Sequence, residues 1–140
     1  MNRKRRTEIL IKGSSEIAKK LSEKIEENYT VKIVVEPSLG LVMVKVRETA
    51  KKSLFCMGEV LVTEAKVLIE GKLGIGIVCG NKPELAFCLG VVDAAYNAEL
   101  EETKAFEEIL LCEEVKINEK IKKHEAKILM TKVNFESMEV

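Results

Sequence analysis

Residues 58–97 read GEVLVTEAKVLIEGKLGIGIVCGNKPELAFCLGVVDAAYN, and this stretch decides the predicted fold. It predicts a long or bent strand over residues 55–69, a turn over residues 70–74 and a second strand over residues 75–79. Gly58 is the natural place for a bulge in the first strand, because glycine tolerates the kink. Pro83 suits the start of a helix over residues 83–97, since its missing N–H would be unpaired there anyway. The stretch alone therefore predicts half of a folded core.

The helix predicted over residues 83–97 is apolar on almost every side, which indicates burial on more than one side. Asp93 is its anomaly. At helical spacing Asp93 shares a face with Leu89 and Tyr96, and a carboxylate there must be paired, hydrogen-bonded or facing a cavity. Two interpretations stay open. Asp93 either holds a loop amide or a basic group within the chain, or it contacts a partner at a shared active site.

The segment before the central stretch predicts two further strands, over residues 31–36 and 41–47. The Pro-Ser-Leu-Gly sequence at residues 37–40 is typical of a hairpin turn, and its glycine can supply the unusual dihedral. In the second of these strands Val42, Val44 and Val46 alternate with other residues, so we expect the three valines to face a core.

Both ends of the chain have helical patterns. Residues 3–12 and 15–27 predict two helices, with Ser14 or Ser15 as the N-cap of the second. Residues 99–114 and 118–131 predict two amphipathic helices, and alternating apolar residues at 132–138 predict an edge strand for this sheet or a partner's. The elements together predict an α+β fold, a mainly antiparallel sheet with helices at both ends packed on it.

Length and charge narrow the class of protein. The 140 residues, 46% hydrophobic and 33% charged, suit a single domain over residues 1–140. Lys plus Arg and Asp plus Glu both number 23, and a net charge of +0 argues against nucleic acid or an acidic membrane as a partner. No apolar run approaches the roughly 18 residues of a membrane span, and the first apolar run is too short for a secretory signal. We therefore expect a cytoplasmic protein.

The reactive side chains form no recognisable site in the sequence. Cys56, Cys79, Cys88 and Cys112 are scattered without a CxxC pair, which argues against metal ligands and favours four small buried hydrophobic residues. His124, the sole histidine, lies on a helical stripe with no nucleophile predicted beside it. We therefore predict no catalytic residue, no metal and no cofactor in this chain.

Gly74, Gly76 and Gly80 form a GxGxxxG pattern before a helix, close to a dinucleotide-binding fingerprint. These glycines lie within or before a strand and not in the strand-to-helix turn, and a short hairpin leads into that strand. We expect instead that Gly74 turns the chain, Gly76 permits close packing and Gly80 redirects the chain.

Particular residue types at particular positions give the sequence a family likeness. In the central stretch these are Gly58, Glu59, Thr63, Ala65, Gly74, Gly80, Ala86, Asp93 and Ala94, and elsewhere they include Leu41, Arg47, Phe55, Val133, Phe135 and Met138. In their order and spacing they resemble the G subunit of the bacterial phosphonate carbon-phosphorus lyase system. The tail departs from that family at Asn134 and Glu136, where an acidic residue and a second aromatic residue are usual.

The resemblance implies an accessory subunit of an enzyme that degrades phosphonates as a phosphorus source. In that system the G, H, I and L subunits together replace the adenine of ATP by a phosphonate, and the J subunit, a radical S-adenosylmethionine enzyme, cleaves the carbon-phosphorus bond. The nucleosidase-like chemistry is ascribed to the I subunit. The resemblance thus implies a hetero-oligomer with the H, I and J subunits, and K or L. The expected contact residues are Asp93 and Tyr96 on the apolar helix and Val133, Phe135 and Met138 in the tail.

Two other classes of function stay open. One is a stand-alone nucleotide-binding or enzymatic domain built on the glycine strand and Asp93. The other is a structural homodimer without a ligand.

Overall fold

The computed structural model describes residues 1–133. Two helices come first, α1 (Arg3–Lys12) and α2 (Ser15–Asn28), followed by three strands, β1 (Lys32–Arg47), β2 (Leu54–Ile69) and β3 (Lys72–Cys79). The chain then forms α3 (Pro83–Asn97) and α4 (Glu102–Met130). β2 lies between β1 and β3 and pairs antiparallel with both. The predicted α+β class is confirmed.

The turn between β2 and β3 is shorter than predicted. Only Glu70 and Gly71 lie outside the strands, and both have positive φ, 49° and 75°. Positive φ at both central residues is the requirement of a type I′ turn, which matches the twist of the strands that it joins. The predicted turn over residues 70–74 was therefore wrong beyond Gly71. Gly74 lies inside β3, opposite Val67, and does not turn the chain.

β1 is one continuous strand, so the predicted hairpin at residues 37–40 was wrong. The pairing passes from Val35 opposite Lys66 to Ser38 opposite Glu64, with a register shift between them. Pro37 lies in this irregular section of an edge strand, where a missing N–H breaks no ladder hydrogen bond. The bulge therefore accommodates the proline that the sequence pattern assigned to a turn.

Another register shift interrupts the pairing of β1 with β2 near Gly58. Val44 lies opposite Gly58 and Lys45 opposite Cys56, which leaves Met57 as the extra residue of a bulge. The predicted bulge is thus confirmed within one residue. The core predicted for Val42, Val44 and Val46 is wrong, because none of the three is buried and Val42 is 47% exposed. They share a face of β1, but that face is uncovered.

The two helices predicted over residues 99–114 and 118–131 are one helix. α4 runs from Glu102 to Met130 without interruption. No glycine or proline lies between residues 102 and 130, so nothing in the backbone stops the helix between the two amphipathic segments. The predictions for the other helices are confirmed, and Ser14 is the N-cap of α2, its side chain accepting a hydrogen bond from the Glu16 amide.

α3 packs closely against one face of β2 and β3 because two residues of β3 have no side chain. A Cβ added at Gly76 would lie 1.9 Å from the Ala86 carbonyl oxygen, and one at Gly74 would lie 2.2 Å from the Gly90 carbonyl oxygen. The prediction that Gly76 permits close packing is confirmed. Gly80 has a φ of 85° and redirects the chain from β3 toward α3, also as predicted.

The core lies between the sheet and the helices, and all four helices contribute to it. Its largest fully buried side chains include Ile25 of α2, Ile69 of β2, and Phe106 and Leu110 of α4. α1 adds Ile9 and Leu10. That residues 1–140 form a single domain stays a prediction.

Candidate functional site

Asp93 lies at the centre of a buried ion cluster that joins α1, β3 and α3. Its Oδ1 accepts hydrogen bonds from Arg3 Nε and Arg6 Nη2, each at 2.9 Å. Its Oδ2 accepts from Arg3 Nη2 at 2.6 Å and from the Ile75 backbone amide at 3.1 Å. The bidentate contact with Arg3 is the geometry that best matches a guanidinium to a carboxylate.

Arg6 is also held from a second side, by Tyr96. The guanidinium carbon of Arg6 lies 3.9 Å from the centre of the Tyr96 ring, within range of a cation–π contact. Burial is the first cause that lowers the pKa of Arg6, and the nearby Asp93 carboxylate opposes that shift. Burial raises the pKa of Tyr96, whose hydroxyl donates to the Thr103 carbonyl at 3.3 Å. The shift moves the pKa of Tyr96 further from neutral pH.

The cluster leaves Asp93 without free acceptor capacity. The carboxylate takes four donors, and residues Asp93 and Arg6 are only 4% and 5% exposed. Since a carboxylate offers about four lone-pair sites, no site is left for a ligand. α1 also covers the group, so a partner could reach Asp93 only if α1 moved.

Sequence reasoning missed the two arginines of the cluster. Arg3 and Arg6 lie in the basic run at residues 3–6. Two features of the sequence could have predicted this pairing. Arg3 and Arg6 are three residues apart and so share a face of a helix, and a lone carboxylate on an apolar helix, such as Asp93, needs a basic partner. The basic partner that the sequence left open for Asp93 is thus Arg3 with Arg6, and the amide is that of Ile75 in a strand and not in a loop.

Thr63 fixes the entry to α3. Its hydroxyl donates to the Gly80 carbonyl at 2.6 Å and accepts from the Lys82 amide at 3.0 Å. The side chain is buried, so both hydrogen bonds are shielded from water. Thr63 therefore holds the redirected backbone at Gly80 in place, a structural task for one of the family-like positions.

The remaining family-like positions divide between the core and the surface. Ala65, Ala86 and Ala94 are fully buried where α3 meets the sheet. Gly58 and Glu59 are exposed on β2, and a Cβ at Gly58 would meet nothing within 4 Å. Close packing therefore explains the first group, whereas no contact found within residues 1–133 explains the second.

The far end of the β1–β2 hairpin forms an exposed arm, which we define as residues 39–47 and 54–61. Every residue from 54 to 61 is exposed. The large apolar side chains exposed on the arm are Leu39, Leu41, Val42, Met43, Leu54, Phe55, Met57, Val60 and Leu61. Contiguous apolar surface of this kind on a soluble protein marks a site of contact with another molecule.

Both faces of the arm are apolar. Cross-strand partners lie on the same face, which places Leu41 with Leu61 on the side that the helices cover farther along the sheet. The opposite face carries Val42 with Val60, and Phe55 beyond the bulge. A partner that covers only one face would therefore leave the apolar side chains of the other face exposed.

The reactive side chains are not gathered into a catalytic constellation in residues 1–133. Cys56, Cys79 and Cys112 are exposed, so the prediction of four buried cysteines was wrong for these three. Cys88 is buried, and burial is the first cause that raises the pKa of its thiol, although Ser22 Oγ lies 3.2 Å away. His124 is exposed on α4.

Among residues 1–133, no group of three or more His, Cys, Asp or Glu side chains is arranged to hold a metal ion. None of the helices in that range has the length and apolar character needed to cross a bilayer.

The tail residues are only partly described. Val133 is exposed just beyond the end of α4. Phe135 and Met138, with most of the edge strand predicted over residues 132–138, lie outside the described residues. Their role as contact residues, like that of Asp93 and Tyr96, stays a prediction.

The comparison with protein families gives a match over nearly the whole chain. The family described as phosphonate metabolism protein PhnG matches residues 1–139, so the chain belongs to that family. No curated protein sequence matches the chain significantly. The resemblance inferred from the residues is thereby confirmed at the level of the family.

Proposed function

We propose that this member of the PhnG family is an accessory, noncatalytic subunit of the phosphonate carbon-phosphorus lyase system. With partner subunits it supports transfer of a phosphonate to C1 of the ribose of ATP, with release of adenine. Its partners are the H, I and J subunits, and K or L, in the cytoplasm. The family match supports the connection to phosphonates.

The observation that carries the accessory role is the exposed arm. A two-stranded hairpin is marginal in water on its own, and here both of its faces are apolar. Insertion into a partner would remove that surface from water at roughly 25 cal/mol per Å² of apolar area. The arm is therefore the part of the chain best suited to dock onto a catalytic subunit and shape it.

A stand-alone nucleotide-binding domain is less consistent with the packing. The glycine strand that suggested a nucleotide site is covered by α3, whose backbone fills the space beside Gly74 and Gly76. A pyrophosphate could not approach these two residues as it does in a dinucleotide fold. The saturated Asp93 likewise offers no base for such a site.

Coexpression with the H, I and J subunits tests the proposal. We expect the chain to elute with them on size exclusion, and the complete assembly to release adenine from ATP with methylphosphonate, whereas the purified chain alone does not. Elution of this chain alone while the others assemble would contradict the proposal. So would adenine release by the isolated chain.

Arm variants locate the contact. Met57→Asp with Leu61→Asp places charge on exposed side chains of the arm, so we expect loss of co-elution without loss of folding by circular dichroism. Val115→Asp on α4 is the matched control, because Val115 is 58% exposed and Met57 65% but only Met57 lies on the arm. Equal loss with the control would show that the arm is not the docking element.

A further inference from the structure

The C-terminal part of α4 carries an apolar stripe that the rest of the chain does not cover. The buried residues of α4 follow helical spacing, and they are Phe106, Leu110, Glu113 and Ile117. The same stripe continues through Ile121, His124 and Ile128, but every residue from 118 to 130 is exposed. An unsupported helix of this length is marginal in water, so the segment is built to pack against something. We name residues 118–130 the helix end.

The helix end carries positive charge beside its apolar stripe. At 100° per residue Lys120 and Lys127 lie on one flank of the stripe, Glu125 lies on the other flank, and Lys122 lies nearly opposite the stripe. The helix end has four lysines and two glutamates, a formal charge of +2, although the whole chain has a net charge of +0. A surface that receives it should be apolar at its base and acidic at the rim that meets Lys120 and Lys127.

A groove with those properties lies on the same chain, between α2 and the start of α3. Its volume is about 940 Å³, and its apolar lining includes Ile11, Leu85 and Phe87. The acidic residues around it are Glu16, Glu23, Glu26 and Glu84, against Lys19 and Lys82. Glu16, Glu23 and Glu26 share a face of α2 at helical spacing, so they form one acidic rim along the groove.

We infer that the helix end of one copy of this chain docks into the groove of a second copy. The docking is of the helix-in-groove kind, with Ile121 and Ile128 on the apolar lining and the flanking lysines against the glutamates of α2. Because each copy has both surfaces, a reciprocal exchange around a two-fold axis satisfies both grooves. The net charge of +0 offers little repulsion between copies.

The inference goes beyond the proposed function, because it concerns two copies of this chain and a surface distinct from the arm. It does not depend on the H, I or J subunits. The chain can therefore fail to self-associate and still co-elute with those subunits, or self-associate and fail to co-elute with them.

Charge-reversal variants test the docking, with sedimentation velocity as the measurement of dimer formation. We expect the purified full-length chain to form a dimer. Lys120→Glu with Lys127→Glu, or Glu23→Lys with Glu26→Lys, should each raise the dimer Kd by about tenfold or more, since attractive pairs become repulsive. Both reversals in one chain, or the two variants mixed in equal amounts, should restore the dimer because opposite charges meet again.

The matched control is Lys51→Glu with Lys52→Glu, a reversal of two exposed lysines at the tip of the arm. We expect it to leave the dimer Kd unchanged, and circular dichroism to show native helix content in every variant. A wild-type chain that stays monomeric would overturn the inference. So would a dimer that ignores both reversals, or one that neither the combined nor the mixed reversals restore.

Discussion

The two halves of β2 share a strand but differ in their surroundings. Residues 62–69 alternate between buried and half-buried, whereas residues 54–61 are all exposed. The change occurs where β3 ends, because Val62 lies opposite Cys79, the last residue of β3. Beyond that point the sheet has only two strands, and α3 no longer covers them.

The difference teaches that strand formation and burial are separate outcomes in this protein. Both halves of β2 are rich in β-branched and large apolar residues, which favour a pleated strand. Only the half with a third strand and a helix above it is part of a core. The other half is paired to β1 but is left for a partner to cover.

The largest difference between the halves should come from adding one methyl group to a glycine. Gly76→Ala places a Cβ against the Ala86 carbonyl oxygen, so α3 must move, and we expect a loss of about 3 kcal/mol or more in the free energy of unfolding. Gly58→Ala in the exposed half meets nothing within 4 Å and should change it by less than about 0.5 kcal/mol. Urea denaturation measures both, and a Gly76→Ala chain as stable as wild type would break the comparison.

Two large apolar residues of β2 give the next comparison. Ile69 is 0% exposed and Leu61 is 42% exposed, and they lie eight residues apart on the same face of the strand. Ile69→Ala should lower the free energy of unfolding by about 3 kcal/mol through the cavity that it leaves. Leu61→Ala should cost less than about 1 kcal/mol in the isolated chain. Similar losses for the two variants would mean that the arm is already packed within the chain.

The ion cluster beside the buried half should respond more weakly. Asp93→Asn leaves the buried Arg6 without its counter-charge, and we expect a loss of about 2 kcal/mol in the free energy of unfolding, because Arg3 can still turn to water. The matched control is Glu114→Gln, which removes the exposed pair with Arg5 and should lower the free energy of unfolding by much less. Thermal and urea unfolding measure both variants. If Asp93→Asn and Glu114→Gln lowered the free energy of unfolding equally, burial of the cluster would contribute nothing to stability.

Thiol labelling sharpens the comparison without changing stability. Cys56 lies in the exposed half of β2, and Cys88 lies in the core face of α3 with its thiol pKa raised chiefly by burial. Because the thiolate is the reactive species, we expect Cys88 to react at least about tenfold more slowly than Cys56 with a colorimetric disulfide reagent at neutral pH. Cys88→Ala should remove the slow phase, and a slow phase that persists would place the protected thiol elsewhere.

Much of the fold was predictable because local patterns and the final packing agree. The apolar helix from Pro83, the N-cap at Ser14 and the glycine of β3 that admits α3 each follow from local chemistry. The single strand β1 was not predictable in the same way. Pro37 by itself favours a turn. The pairing of β1 with β2 on both sides of Pro37 outweighs that preference, and the proline lies in a bulge of the strand.

The candidate site was predictable only in part. The sequence required a partner for Asp93, because an unpaired carboxylate inside an apolar helix is too costly. It could not say that Arg3 and Arg6 supply it, since they lie 90 and 87 residues away along the chain. The exposed arm could not be predicted from local sequence either. Val42 and Phe55 are residue types typical of a core, and only the tertiary structure shows that no element within residues 1–133 covers them.

The sequence by itself determined β2, most of β3, most helix boundaries, the close packing at Gly76 and the likeness to the PhnG family, because these depend on residue type and spacing along the chain. The tertiary structure alone decided which apolar residues are buried, which arginines hold Asp93 and where α4 leaves the core. Those outcomes depend on which elements lie over one another, and α3 and β3 cover only half of the longest strand pair. The uncovered half, with its two apolar faces, is the feature that local sequence could not distinguish from a core.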